Sequence, residues 1–378
     1  MPLIAWAFAA LAHDAVGSYA IRPLFEEGEL AGAWTTWGLV LDEGGTWERV
    51  CHEALPDVRD AWLRPDGTVL LARASGLAST ADGGCTTTPG PIGTPVSSLV
   101  ETPDGLVAVV DEPSGDVLQR SADDGSTFDP LAALPRSTDV RSVAVDGAGA
   151  LAAAGLAGGA PVLWIDDGGS WVERALPAPT GLLVAAVHGP GLGSALVVTT
   201  ASDDGTGALW LDDGAGGWTL GATLPLSPTG FGCSGGRCWI AVEQGVLLAL
   251  DASGPPPWSV QTDEGPARCL WTHGPELWGC TEVSTVDHLE VTTGATWTGS
   301  MPRAAIVERT CAEGTEAATL CALPLPDTAQ AGDTGTPIAT DDDGGCGGCD
   351  HGAPGGALGL LLAIAALRRA TVAVVQVA

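Results

Sequence analysis

Six aspartates stand where carboxylate chemistry would be sought first: Asp42, Asp82, Asp123, Asp166, Asp212 and Asp251. The clearest setting is Ser121-Ala122-Asp123-Asp124-Gly125-Ser126-Thr127-Phe128. A carboxylate beside glycine and hydroxyls invites two readings, a calcium loop and a general acid or base. The spacing argues against both. Successive positions differ by 40, 41, 43, 46 and 39, and Thr292 follows 41 further on in a copy without the acid. A near-constant interval close to 40 residues marks a supersecondary unit repeated along the chain. A group needed once for chemistry is not repeated in that way.

The elements that position these residues are short strands. Around the fourth copy, Val140 to Val145 alternates apolar and polar, and Asp146-Gly147-Ala148-Gly149 is a turn. Leu151 to Leu156 is a run of small residues suited to burial near an axis, Pro161 to Ile165 is a third strand, and Ser170 to Ala175 a fourth. Four strands per repeat predict the blade of a β-propeller. A helical reading fails because apolar spacing of three and four residues is nowhere sustained. Within each copy the Asp and Ser or Thr accept from turn N–H groups, Gly takes positive φ, and the aromatic ring is expected to pin the hairpin to its sheet.

At Val40-Leu41-Asp42-Glu43-Gly44-Gly45-Thr46-Trp47 and Trp164-Ile165-Asp166-Asp167-Gly168-Gly169-Ser170-Trp171 the chain keeps most of this pattern. Thr80 to Thr86 has Thr87 in place of the aromatic, and Asp212 reaches Trp218 one residue late. These segments resemble the Asp-box, or bacterial neuraminidase repeat, family across about residues 18–300. The resemblance implies an all-β propeller with the box as a structural device, in sialidases, xyloglucan-type glycosidases, sortilin-like receptors and photosystem assembly factors alike. It does not choose a function. Seven boxes imply seven blades. Ala305 to Leu323 reads as one more pair of inner strands, closing the blade that holds Trp37 to Val50, with Tyr19 to Trp34 as a lead-in or outer layer. A ring of eight is the alternative.

Ten cysteines form an even set, as expected of a disulfide framework in an oxidising compartment. The reading pairs Cys233 with Cys238, Cys269 with Cys280, and Cys311 with Cys321 across hairpins, and links Cys51 to Cys85 between neighbouring blades. Residues 1–12 are apolar and end in Ala10-Leu11-Ala12, a signal peptide, with a buried first strand as the other reading. The propeller then runs over 13–323. Residues 324–345 are small and acidic, a flexible linker. In 346–378, Cys346-Gly-Gly-Cys349, an apolar helix over 355–367 and Arg368-Arg369 resemble the myxobacterial C-terminal sorting signal. That resemblance implies processing near Cys346 or Cys349 and a place at the cell surface. The apolar stretch is shorter than a free span needs and the chain continues past the arginines, so a single-span anchor is the alternative.

The formal net charge is −31, from 15 basic and 46 acidic residues. That excludes nucleic acid, whose phosphates are bound by Lys and Arg. A sialidase needs a tyrosine nucleophile, and Tyr19 is the one tyrosine in the sequence; Ala20-Ile21-Arg22-Pro23 matches that family's Arg-Ile-Pro segment only loosely. No His-Glu-x-x-His, phosphate loop or nucleophile elbow occurs. Asp203-Asp204-Gly205 and Asp341-Asp342-Asp343-Gly344 lack the spaced oxygens of a calcium loop. Trp271 and Trp278 flank the Cys269 to Cys280 hairpin, as core residues or as a contact pair. The chain is therefore read as a non-catalytic, monomeric, exported or surface-anchored module binding protein or glycan, without cofactor or metal. A secreted glycoside hydrolase with a carboxylate pair is the alternative.

Overall fold

A computed structural model describes residues 20–321, apart from 27, 36–37, 178–180, 190–193, 195, 215, 235–236, 243–245, 253, 262–268, 274–275, 284–285, 293–297 and 303–305. The signal peptide at 1–12, the linker, and the tail with Cys346, Cys349, Arg368 and Arg369 lie outside the described residues. Among those described, the strands form seven antiparallel sheets that follow one another along the chain.

Blade 1 holds β1 (Ala20–Glu26), β2 (Glu29–Thr35), β3 (Gly38–Asp42) and β4 (Trp47–Cys51). Blade 2 holds β5 (Val58–Leu63), β6 (Val69–Arg73), β7 (Gly76–Thr80) and β8 (Thr88–Pro89). Blade 3 is β9 (Val96–Thr102), β10 (Gly105–Val110), β11 (Val117–Ser121) and β12 (Asp129–Pro130). Blade 4 is β13 (Asp139–Val145), β14 (Leu151–Ala157), β15 (Ala160–Asp166) and β16 (Trp171–Arg174). Blade 5 comprises β17 (Leu182–His188), β18 (Val197–Ser202), β19 (Gly207–Asp212) and β20 (Trp218–Leu224). Blade 6 comprises β21 (Pro228–Ser234), β22 (Arg237–Val242), β23 (Val246–Asp251) and β24 (Ser259–Gln261). Blade 7 comprises β25 (Cys269–His273), β26 (Glu276–Val283), β27 (Val286–Thr292) and β28 (Thr298–Pro302). The four strands expected around Asp166 coincide with β13 to β16.

The blades close into a ring. Inner strands touch as β1 with β5, β5 with β9, β9 with β13 and β13 with β17. Blade 5 meets blade 6 through β18 and β21, β21 meets β25, and β25 returns to β1. At the seam the Phe25 and Trp278 rings are 5.4 Å apart, edge to face. The core is divided among the blade interfaces. One cluster joins blades 1 and 2, another blades 2 and 3, and so on to Trp239, Leu247, Leu270 and Leu277 between blades 6 and 7. Each sheet buries both faces against neighbours, which is why Val, Leu and Ala fill the second strands so completely.

Two sequence features shape each blade. The outer strands of blades 2 and 3 are two residues long and carry proline, Thr88–Pro89 and Asp129–Pro130, which blunts an exposed edge. Inner strands carry a register slip near their start in blades 1 to 6, between Ala20 and Arg22, Val58 and Asp60, and at matching points onward. A bulge re-aims a side chain. The slip directs Asp60 and Ser142 at the next blade, where they accept from Leu99 N–H at 2.7 Å and Val187 N–H at 2.8 Å.

The chain ends differ from expectation. Of the stretch read as a lead-in or outer layer, Tyr19 lies outside the described residues. From Ala20 on it is neither, because β1 and β2 are the two inner strands of blade 1. Blade 1 thus has all four of its strands between Ala20 and Cys51, and residues 306–321 have no inner position left to fill. They form instead a strap: β29 (Ile306–Glu308), then helix α1 (Glu316–Leu320) capped by the Thr315 hydroxyl on Ala318 N–H at 3.1 Å. β29 adds a fifth, parallel strand outside β4, with Ile306 opposite Trp47. Arg49 pairs with Glu308, and Arg309 N–H reaches Arg49 O at 2.8 Å.

The strap also corrects the cysteine pairing. Cys51 bonds Cys321 and Cys85 bonds Cys311, each with Cα atoms 5.4 Å apart. The hairpin pairing of Cys311 with Cys321 fails because α1 intervenes, and Cys51 and Cys85 each meet the strap rather than one another. Cys233 and Cys238 are bonded across β21 and β22 as expected. Cys269 and Cys280 are directly opposite in the β25–β26 register; their side chains lie outside the described residues. The Cys51–Cys321 bridge spans 270 residues and constrains the unfolded chain by on the order of 5 kcal/mol, and the nested Cys85–Cys311 bridge adds less.

Candidate functional site

The repeated aspartates all sit at the end of the third strand or in the turn that leads to the fourth, and at Asp82, Asp123 and Asp212 both carboxylate oxygens are hydrogen-bonded. Asp123 Oδ1 receives Ser121 Oγ at 2.7 Å and Thr127 N–H at 2.8 Å, and Asp123 Oδ2 receives the Thr127 hydroxyl at 2.7 Å. Gly125 N–H closes the turn on Ser121 Oγ at 2.7 Å. Blade 2 repeats all four bonds with Thr80, Asp82, Gly84 and Thr86. Asp42 holds Gly45 N–H at 2.7 Å, and Asp166 holds Gly169 N–H at 2.8 Å. Asp212 holds Gly214 N–H at 2.7 Å and receives Arg174 from blade 4 at 2.6 Å. Thr127, through its backbone and then its hydroxyl, and Ser121 stabilise the Asp123 carboxylate, pulling its pKa down to about 2. A carboxylate so held is a poor proton carrier at neutral pH.

The aromatic of the clasp does more than pin its own hairpin. Trp171 Nε1 donates to Ala132 O at 2.7 Å, and Trp218 Nε1 to Ala175 O at 2.7 Å, each in the segment leaving the preceding blade. Arg174 also lies over the Trp218 ring at 4.5 Å. Phe128 packs into the cluster between blades 2 and 3. In blade 6, Trp258 Nε1 donates to Gly254 O at 2.6 Å. Of the tryptophans outside the clasps, Trp34, Trp239 and Trp278 are buried, and Trp271 is half-buried.

Strand direction alternates, so the clasps share one face of the ring with the turns between first and second strands. The loops between second and third strands, and those linking blades, open on the other face. There a groove of about 440 Å³ lies between blades 3 and 4, lined by Glu112, Asp116, Thr138, Asp139, Leu156 and Gly158 among others. Gly115 lets the two walls meet: its φ is +118°, and a Cβ there would lie 2.7 Å from Ser137 Oγ. Asp116 N–H donates to Thr138 O at 2.8 Å, and Asp116 Oδ2 accepts Val140 N–H at 2.6 Å.

Burial pushes the Asp116 carboxyl up to about 6 against the Val140 bond, with Asp111 and Asp139 adding repulsion. Arg59 and Arg141, both at the bulges of inner strands, are engaged by Asp111 and Asp139 respectively. The groove therefore presents Glu112 and Asp116, with Asp139 shared with Arg141. Nearer the axis, Arg22 Nη1 donates to Asp60 Oδ2 at 2.8 Å and to Leu99 O, tying three inner strands together.

No protein-family model matches the chain, and no curated protein sequence matches it. Solved structures do. YCF48 bound to the D1 peptide aligns with a TM-score of 0.51 at 13% identity, over 76% of this chain and 95% of that one. The extracellular domain of BT4673 from B. thetaiotaomicron aligns at 0.53 and 11% identity, over 71% of this chain and 38% of that one. Virginiamycin B lyase from Staphylococcus aureus aligns at 0.46 and 16% identity, over 65% and 85%.

The chain is a β-propeller. Likeness at these identities establishes the architecture and leaves the activity open.

Within the propeller, the six aspartates singled out by spacing are dispersed, one in each of blades 1 to 6, and no two of them share a site. Glu112, Asp116 and Asp139 come together from two blades, and nothing in their local spacing marks them. Asp116 directly precedes β11 and Asp139 opens β13, with the whole blade 3 clasp between them in sequence. Among the described residues, His, Cys, Asp and Glu nowhere gather in threes able to hold a metal.

Proposed function

We propose that this propeller is a binding module for polypeptide, exported and held at the cell surface by its C-terminal segment, acting as a monomer. The observation that carries the reading is the groove between blades 3 and 4, on the face free of clasps. Glu112 and Asp139 on its walls face solvent, on a chain of net charge −31. Charge complementarity points to a segment bearing Arg or Lys. The peptide held by YCF48 supports the use of such a ring for peptide capture. The disulfides support an oxidising destination.

The test is binding of the oxidised full chain to a panel of peptides of graded basicity and to a polysaccharide array. Basic peptides should bind at low salt, weaken with ionic strength, and be lost in Glu112→Gln with Asp139→Asn. Selective retention of neutral glycans would replace polypeptide with glycan as the ligand.

One feature favours a second reading. A carboxyl raised to about 6 in a cavity, as at Asp116, is suited to a general acid of a glycoside hydrolase with a neighbouring carboxylate as partner. Turnover of a polysaccharide that disappears in Asp116→Asn would establish that reading and overturn the first.

A further inference from the structure

The two bridges that fasten the strap differ in access. Cys51 and Cys321 are buried, inside the cluster that joins blades 1 and 2, and Cys51 N–H donates to Cys321 Sγ at 3.1 Å. Cys85 and Cys311 are only partly buried, at the edge of that same cluster. Cys85 ends the clasp turn of blade 2, directly after Gly83 and Gly84, which both have positive φ. Cys311 lies in the irregular stretch between β29 and α1. The Arg309 guanidinium packs on Gly83 and pairs with Glu43 at 2.6 Å and Glu48 at 3.3 Å, so a cation stands between the clasps of blades 1 and 2.

Thiol–disulfide exchange needs an attacking thiolate to reach a sulfur in line with the bond, so access decides which bridge reacts. We propose that Cys85–Cys311 is a site of thiol–disulfide exchange, open to a small thiol or dithiol, whereas Cys51–Cys321 is a permanent fastening. A thiolate attacks one sulfur of the more accessible bridge and forms a mixed disulfide, releasing the other cysteine as thiolate. A second thiol resolves it. In sum, two RSH are oxidised to RSSR, and Cys85 and Cys311 are reduced to thiols. Reduction there frees the strap from blade 2, while β29 stays on β4 through its strand pairing, the Arg49–Glu308 pair and the buried bridge. The strap thus loosens from blade 2 in one step without leaving blade 1.

The experiment uses the full oxidised chain in graded glutathione or dithiothreitol, with alkylation of free thiols and peptide mapping. Cys85 and Cys311 should become labelled at concentrations at least tenfold below those that label Cys51 and Cys321. Hydrogen exchange should then rise at 83–86 and 309–315 and stay low at 47–51 and 306–308. Simultaneous labelling of all four cysteines, or earlier labelling of Cys51 and Cys321, would overturn the proposal. A Cys85→Ser/Cys311→Ser chain provides the second arm. It should fold with β29 still protected, and loss of protection at 306–308 in that chain would equally overturn it.

Discussion

Arg22 of the first inner strand and Asp60 of the second are joined at 2.8 Å, on an oxygen that also receives Leu99 N–H of the third at 2.7 Å. Three blades therefore depend on one carboxylate. Asp60→Ala leaves a guanidinium and a backbone N–H without their partner. Breaking a buried pair from one side costs about 3–5 kcal/mol, and the partial exposure of Arg22 brings the expected loss to roughly 2–3 kcal/mol. Urea unfolding should show that loss as a lower midpoint, and Asp60→Asn, which still accepts Leu99 N–H, should recover part of it. An unchanged midpoint would show that the bridge is not a fastening.

Asp123 gives the clasps a pH signature. Its folded pKa, about 2, lies below the ordinary value of 3.8, so the unfolded chain binds the proton more readily. The stability it confers is complete above about pH 4 and is lost as pH falls through about 2. Asp123→Asn should flatten that part of the acid limb in urea midpoints taken from pH 5 to pH 2. Binding at the groove, on the other face, should be unaffected.

Asp116 has the opposite sign. Its folded pKa, about 6, lies above 3.8, so the folded chain holds the proton longer. Its contribution to stability therefore falls as pH rises from about 4 to about 6 and is level beyond. Asp116→Asn keeps an acceptor for Val140 N–H and cannot ionise. Relative to the parent, it should be more stable at pH 7 than at pH 4. A constant difference across that range would show that Asp116 ionises freely.

Trp171 and Trp218 predict how blades 3, 4 and 5 are coupled. Trp171→Phe retains a ring and loses the bond to Ala132 O, at a cost of about 1 kcal/mol. Trp218→Phe loses the bond to Ala175 O and weakens the stacking under Arg174, so it should cost more. Thermal unfolding of both variants checks the order.

Much of the architecture was legible because it is local. The clasp at Ser121 to Thr127 is built from residues within six positions of one another, so its period, its strands and its hairpin can be read along the chain. The inner register slips were not legible. A bulge at Arg59 or Arg141 depends on the neighbouring strand and leaves no fixed residue type behind. The groove was invisible for a related reason. Asp116 becomes unusual only when the Thr138 to Val140 segment of the next blade covers it, and an acid in a chain with 46 of them carries no mark of its own.

The chain ends show the same division. Repetition near 40 residues determined a ring of four-stranded blades, since each unit must bury its faces against the next. Repetition says nothing of how the ring is shut. Cys51 and Cys321 are 270 residues apart, and their pairing follows from β1 and β2 having taken the inner places of blade 1. With those filled, the last strand could add only outside β4, and this carried Cys311 to blade 2 and Cys321 to blade 1. The sequence by itself determined the repeated unit, whose hydrogen bonds close within a few residues. Only the tertiary structure decided the closure and the groove, because both arise where distant segments exclude water from one another.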